Sequence, residues 1–367
     1  MAISITHSFV SVIADDPAAA SAGQVTPSNW NDAHVVSGIR PLLPADVIYY
    51  VNSATGSDSN VGTSGAPFLT FLHAWNTVCA FDLNGRTATI QLQDSVVDYD
   101  PVNVGGLLSP GNTLATPLNG QMIVQGNAGD FTKVTIGATT DSSTCFTLGI
   151  QCNSQVIFQN LTFTDNAAAT FCALVASINQ NLITLHSTNF VLNPVNASVG
   201  VWAAGQTSIT VETDLQVAGD TDKFFLSESL STLGINLDTL TLVGTPAYAV
   251  GFLAADTDSQ IVINHIGSIV GTATGPRYNI DPTSLLQSQV TISSLPGDAD
   301  GVADSLERLS IPEGPYTVAT LPVAATFMKG WQAYVTDALS PTFLGTLTGG
   351  SSTVTRVVCT GSAWVPG

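Results

Sequence analysis

The residues best placed to do chemistry in this chain occupy one position of a repeat. They are Gln159, His186, Glu212, Asp238 and Asn264. Each lies next to an apolar-any-apolar triplet: Val156-Ile157-Phe158, Ile183-Thr184-Leu185, Ile209-Thr210-Val211, Ile235-Asn236-Leu237 and Ile261-Val262-Ile263. If the triplets stack as parallel strands about 4.8 Å apart, Glu212 and Asp238 become neighbours with carboxylates about 5 Å from each other. Two carboxylates that close raise one pKa, and about 5 Å is the spacing of a retaining glycosidase pair. The position also ends a strand, where a turn takes polar residues for solubility. A solvated turn column is therefore the first reading, a glycan- or receptor-facing column the second, and a catalytic pair the third.

Other groupings carry less. Asp94, Asp98 and Asp100 fall on a turn with only Arg86 nearby, and the central repeats offer only Lys133 and Lys223 as cations. His186 and His265 are single histidines on a polar column, more often spectators than bases. Aromatic residues are 7 % of the chain, which leaves few platforms for stacking sugars. No phosphate loop, nucleophile elbow or metal-ligand spacing occurs, so no catalytic residue, metal or cofactor is expected. Cys79, Cys145, Cys152, Cys172 and Cys359 form an odd, scattered set without Cys-x-x-Cys and read as buried free thiols.

The repeats starting at Val156, Ile183, Ile209, Ile235 and Ile261 are 27, 26, 26 and 26 residues apart. A fixed period of this kind marks a solenoid in which each unit buries its apolar edge against its neighbours. Alternation with period 2, in segments rich in Ile, Val, Thr, Leu and Phe, marks strands. The expected fold is all-β: a right-handed parallel β-helix of ~26 residues per coil. Its interior would hold Val156, Ile183, Ile209, Ile235 and Ile261 beside Phe158, Leu185, Val211, Leu237 and Ile263. A leucine-rich repeat fits the period too, but 193–206 and 219–232 lack the 3.6-residue apolar face its helices need. Weaker coils start at Ile90 and Ile123, spaced 33 residues from each other and from Val156.

The net charge is −19, with 8 Lys plus Arg against 27 Asp plus Glu, and charged residues are only 10 % of the chain. An acidic surface without basic clusters argues against nucleic acid and anionic lipid as partners. No apolar run reaches the about 18 residues of a membrane span, so no membrane insertion is expected. Met1 to Asp16 has no Lys or Arg and does not read as a secretory signal. A polar, Ser/Thr/Asn-rich surface on a chain that folds in the cytoplasm fits a virion component released on lysis.

Two segments bear resemblances. His7-Ser8-Phe9-Val10, Asp15-Asp16 and Pro27-Ser28-Asn29-Trp30-Asn31 with His34 resemble the N-terminal segment of tailed-phage structural and tail-fibre proteins. That resemblance implies attachment to the particle through His7, Phe9, Trp30, Asn31 and His34. The stretch Ile48-Tyr49-Tyr50-Val51-Asn52, then Gly56-Ser57-Asp58-Ser59-Asn60 and Gly65-Ala66-Pro67-Phe68, is similar to the opening of pectate-lyase-like β-helices. There a strand and a loop lead to a cap helix, here over Phe71, Leu72, Trp75 and Val78.

The repeat breaks near 294–315, where Pro296-Gly297-Asp298 is a turn signal and Asp304 to Leu309 could form one helical turn. Tyr316 to Thr320, Gln332 to Thr336, Phe343 to Leu347 and Thr353 to Cys359 then alternate as short strands before Trp364. They resemble C-terminal β modules that follow phage β-helices and often intertwine three chains; a monomeric cap on the last coil is the alternative. The expected organisation is an N-terminal virion-attachment segment (1–46), a parallel β-helix (47–312) and a C-terminal β module for trimerisation or tip (313–367). Together these imply a homotrimeric tail fibre or tailspike-type adhesin. It would bind other virion proteins through its N-terminus and a host-surface glycan or protein along its shaft. A polysaccharide depolymerase on the same scaffold, or a head or neck fibre without a receptor, are the alternatives.

Overall fold

The computed structural model describes residues 3–5, 34–36, 40–104, 116–137, 146–148, 154–164, 172–178, 180–192, 197–303, 309–310, 315–321, 324 and 331–367. Parallel strands stack coil upon coil in two long sheets, a β-solenoid as the repeat requires. One sheet runs from Val47–Val51 through Thr87–Leu92, Gln121–Gln125 and five long strands to Leu285–Ser288 and Leu309–Ser310. Those five are Gln155–Thr164, Leu182–Val191, Ser208–Ala218, Thr232–Val243 and Gln260–Val270. The second sheet stacks Cys172–Ile178, Ala197–Ala204, Thr221–Ser227 and Tyr248–Ala255. Two of these strands lie where a leucine-rich repeat would need helices.

Gln155–Thr164, Leu182–Val191 and Ser208–Ala218 bend after their first five residues. Asn160, Ser187 and Thr213 all take left-handed backbone at the bend, with φ of 58°, 49° and 65°. Each of these three long strands is thus two short ones, and their coils have three sides. A β-branched residue such as Thr213 adopts this conformation only at a cost of about 1–2 kcal/mol.

Val156, Ile183, Ile209, Leu233 and Ile261 form one inner stack, and Phe158, Leu185, Val211, Ile235 and Ile263 another; all are fully buried. This corrects the sequence register at one coil. Ile235 pairs with Val211, not Ile209, so the steps are 27, 26, 24 and 28 residues. The early coils shift too: Ile90 pairs with Val124, 34 residues on, and Ile123 pairs with the outward Ile157. Aromatic rings run through the core, Phe163 on Phe190 at 5.3 Å and Phe190 against Phe224 at 5.5 Å, with Phe252 stacked on Phe224 at 5.7 Å. Such pairs prefer these offset and edge-on geometries.

Ser154, Asn181, Thr207, Ser231, Ser259 and Ser284, all buried, stand just before successive long-sheet strands. The hydroxyls of Ser154, Thr207, Ser231 and Ser284 accept a backbone N–H of the coil before. The Thr207 N–H donates to Ser231 Oγ (3.1 Å) and the Ser259 N–H to Ser284 Oγ (3.2 Å). Buried amides need such partners.

The expected cap helix is α1 (Phe71–Cys79), which buries Phe71, Ala74, Trp75, Val78 and Cys79. The Gly/Asp/Asn loop before it serves as its clamp. Asp58 accepts the backbone N–H groups of Leu69 and Thr70 (both 2.9 Å) and the Thr70 hydroxyl (2.8 Å), while Thr70 caps the helix at His73 N. Burial pushes the Asp58 carboxyl up, but these hydrogen bonds outweigh it and leave its pKa below the ordinary value.

At the other end Pro315–Tyr316, Gln332–Ala338, Thr353–Cys359 and Trp364–Pro366 form a small sheet whose last three strands are antiparallel. Two expected strands fail here. Val318–Thr320 is a 3-10 turn, and 343–347 is a turn with Leu344 at φ 56° and Phe343 exposed. The proposed helical turn from Asp304 lies outside the described residues up to Leu309, which begins a solenoid strand.

Candidate functional site

One outward column crosses the long sheet from Val47–Val51 to Gln260–Val270 on the face before the bend. In register it reads Tyr50, Gln91, Gln125, Gln159, His186, Glu212, Asn236 and His265. Three of the five expected residues stand in it: Gln159, His186 and Glu212. Asp238 and Asn264 do not. Each is an extra residue at a β-bulge, since Thr213 pairs with Leu237 and Asp214 with Thr239, while Ile235 pairs with Ile263 and Asn236 with His265. Asn236 and His265 take the places expected for them. Glu212 and Asp238 are therefore not a cross-strand carboxylate pair, and the glycosidase-like spacing falls away.

The upstream half of the column is a ladder of neutral amides. Gln159 Nε2 donates to Gln125 Oε1 (2.7 Å), and Gln125 Nε2 to Gln91 Oε1 (2.6 Å). Gln91 Nε2 closes the run on the Gly126 carbonyl (3.0 Å). Ladders like this hold side chains in one orientation while their remaining lone pairs face out. Sequence reading missed Gln91 and Gln125 because their coils carry longer loops. The alternation around them was visible, the register was not.

Downstream, His186 is the only column residue with two potential acid–base partners. Its Nδ1 lies 3.0 Å from Thr213 Oγ1 and 3.9 Å from Glu212 Oε2. Both partners meet the same ring nitrogen, so the group lacks the relay that activates a hydroxyl through one nitrogen and orients the base through the other. Both His186 and Glu212 are 40 % exposed. The geometry suits hydrogen bonding to a ligand laid across the face. Thr213, held in strained backbone beside them, fixes the turn from which Glu212 projects.

The five long strands carry no Lys or Arg. Lys223 pairs with Asp256 (3.4 Å) on the second sheet, and Arg277 with Asp300 (3.2 Å). Asp94 is held by both oxygens to Asn127 Nδ2 (2.9 Å each), and burial pushes the Asp98 carboxyl up, but the two do not converge on a site. Among the described residues no group of three His, Cys, Asp or Glu could hold a metal, and no helix is long and apolar enough to cross a membrane. Cys79 and Cys359 are buried and form no disulfide. His7, Phe9, Trp30 and Asn31 lie outside the described residues; His34 begins a short strand paired antiparallel with Ile3–Ile5.

The fold and column define a parallel β-solenoid with one continuous polar face and a small antiparallel sheet at its C-terminal end. Comparison of the chain with family models, with curated proteins and with solved structures returns no match.

Proposed function

We propose that this protein is a virion adhesin of a tailed phage or phage-like particle, a tail fibre or tailspike-type component whose solenoid shaft contacts the host surface. The observation that carries the reading is the polar column from Tyr50 to His265, laid on a rigid sheet with one residue per coil. An extended surface glycan or protein loop can make repeated hydrogen bonds along it at the coil spacing of about 4.8 Å. The resemblance of the N-terminal residues to phage attachment segments supplies the compartment. The N-terminus, with His7, Phe9, Trp30, Asn31 and His34, binds other virion proteins.

The C-terminal module assembles a homotrimer. Residues 313–367 hold two acids (Glu313, Asp337) and two bases (Lys329, Arg356), so the net charge of −19 resides upstream and like charge does not oppose association there. Tyr334, Phe343 and Val354, 57 %, 78 % and 66 % exposed, give the module apolar surface to bury.

Binding of the purified chain to host envelopes tests the reading. Replacing Gln125, Gln159 and Asn236 together by Ala is expected to weaken binding at least tenfold without changing the melting profile. Undiminished binding would remove the column from the contact. Light scattering is expected to show a monomer for a chain ended at Pro312 and a trimer for the full-length chain; equal oligomeric states would refute assembly by the C-terminal module.

A further inference from the structure

The first five strands along the long sheet, from Val47–Val51 to Leu182–Val191, hold no Asp, Glu, Lys or Arg, in a chain of net charge −19. We infer that the outward face of this charge-free tract is the binding site for an uncharged, extended polysaccharide laid parallel to the solenoid axis. The inference deepens the adhesin reading and rests on its glycan contact.

A second glutamine ladder runs beside the first. Gln121 Nε2 donates to Gln155 Oε1 (3.1 Å), and Gln155 Nε2 donates to Thr184 Oγ1 on the next coil (3.0 Å). Gln121 and Gln155 stand four residues before Gln125 and Gln159, about 13 Å away along the strands. Between the two ladders lies an outward row of different character. There Ile123 pairs with Ile157, both half-buried, with Thr89 on the coil before and Thr184 on the coil after. The alternating residues Met122, Val124, Val156 and Phe158 are fully buried, so the isoleucines face outward. The tract is an aliphatic floor between two rows of amides, each running from coil to coil. Beyond Thr184 the middle row falls to Thr210 and Gly234, and the floor ends.

That pattern is complementary to a neutral sugar chain. A pyranose presents C–H groups on its faces and hydroxyls around its rim, and each hydroxyl both donates and accepts. Gln125 and Gln155 each spend one N–H and one oxygen lone pair on their ladder neighbours, which leaves one of each. The coil step of about 4.8 Å is close to the length of one sugar unit in an extended chain. One sugar per coil can set its ring on Ile123 or Ile157 and its hydroxyls on both ladders. Ionic ligands fare worse. A carboxylate or phosphate only accepts, and the tract offers it no Lys or Arg. The next charge along the column is Glu212, which repels an anion.

Binding of the full chain to an array of length-matched oligosaccharides, uncharged or uronate-bearing, tests the inference. The best uncharged members are expected to bind at least tenfold more tightly than any uronate-bearing one, with an affinity that added salt leaves unchanged. Ile123→Thr with Ile157→Thr copies the residue type of the flanking coils, so the fold is kept while the floor is lost. Affinity for the uncharged members is expected to fall at least tenfold, and equally in Gln121→Ala with Gln155→Ala, each with an unchanged melting profile. Preference for charged members, binding to no uncharged one, or affinity that survives both double variants overturns the inference. Host envelopes separate this failure from that of the adhesin reading. An adhesin that grips a protein binds envelopes but no glycan of the array, whereas a chain that is no adhesin binds no envelope.

Discussion

Ile235→Asp and Asn236→Asp place the same carboxyl on neighbouring residues of one strand, one facing the core and one facing water. Ile235 is fully buried between Val211 and Ile263, whereas Asn236 is an exposed member of the outward column. Losing a fully buried Ile side chain costs about 2–3 kcal/mol. Keeping the new carboxyl neutral in the core at pH 7, against an unfolded pKa of about 3.9, adds about 4 kcal/mol. The sum, about 6 kcal/mol, is a large part of what holds most domains together. The second contribution depends on pH. The folded pKa of the buried carboxyl is raised above its unfolded value, so the penalty is largest at neutral pH. It shrinks by about 1.4 kcal/mol per unit as pH falls toward 4, leaving only the lost burial. Asn236→Asp should shift stability by no more than about 0.5 kcal/mol at either pH. Urea melts at pH 7 and pH 4.5, followed by circular dichroism and by proteolysis of the central coils, measure all four values. Equal midpoints for the two variants, or an Ile235→Asp penalty that does not ease in acid, would refute the assigned faces.

Asp58→Asn removes a charged acceptor from the start of α1 and should cost about 1 kcal/mol at pH 7, read by urea melts. Because the Asp58 pKa is lowered in the fold, its contribution is full above the unfolded value of about 3.9 and is lost as pH falls through the lower folded one, so the gap between wild type and variant should narrow steadily in acid. Phe190→Ala cuts the aromatic run between Phe163 and Phe224 and should destabilise by about 3–5 kcal/mol in the same assay.

The solenoid was legible in the sequence because period-2 alternation and a recurring unit demand stacked parallel strands. The register was less so. In Thr232–Val243 the residues Leu233, Ile235 and Leu237 are all apolar and all buried, so a slip of two residues leaves the apolar pattern intact. That slip carried Asp238 into a column that Asn236 occupies. A second signal could have fixed the register: the small polar residue before each strand, at Thr207, Ser231 and Ser259, marks the 24- and 28-residue steps. The bends at Ser187 and Thr213 were hidden because neither residue type favours left-handed backbone. The bulges at Asp238 and Asn264 leave no trace in composition, since an inserted polar residue on an exposed turn satisfies the same pattern.

The central claim is that the column grips a surface ligand without cutting it, since both partners of His186 meet one nitrogen and Glu212 has no carboxylate across the strand. Incubating the full-length chain with host capsule or lipopolysaccharide tests this most directly, with bound protein and newly formed reducing ends measured on the same samples. The account predicts retained binding and no rise in reducing ends over a protein-free control. Oligosaccharide release that disappears in His186→Ala and Glu212→Gln would contradict it.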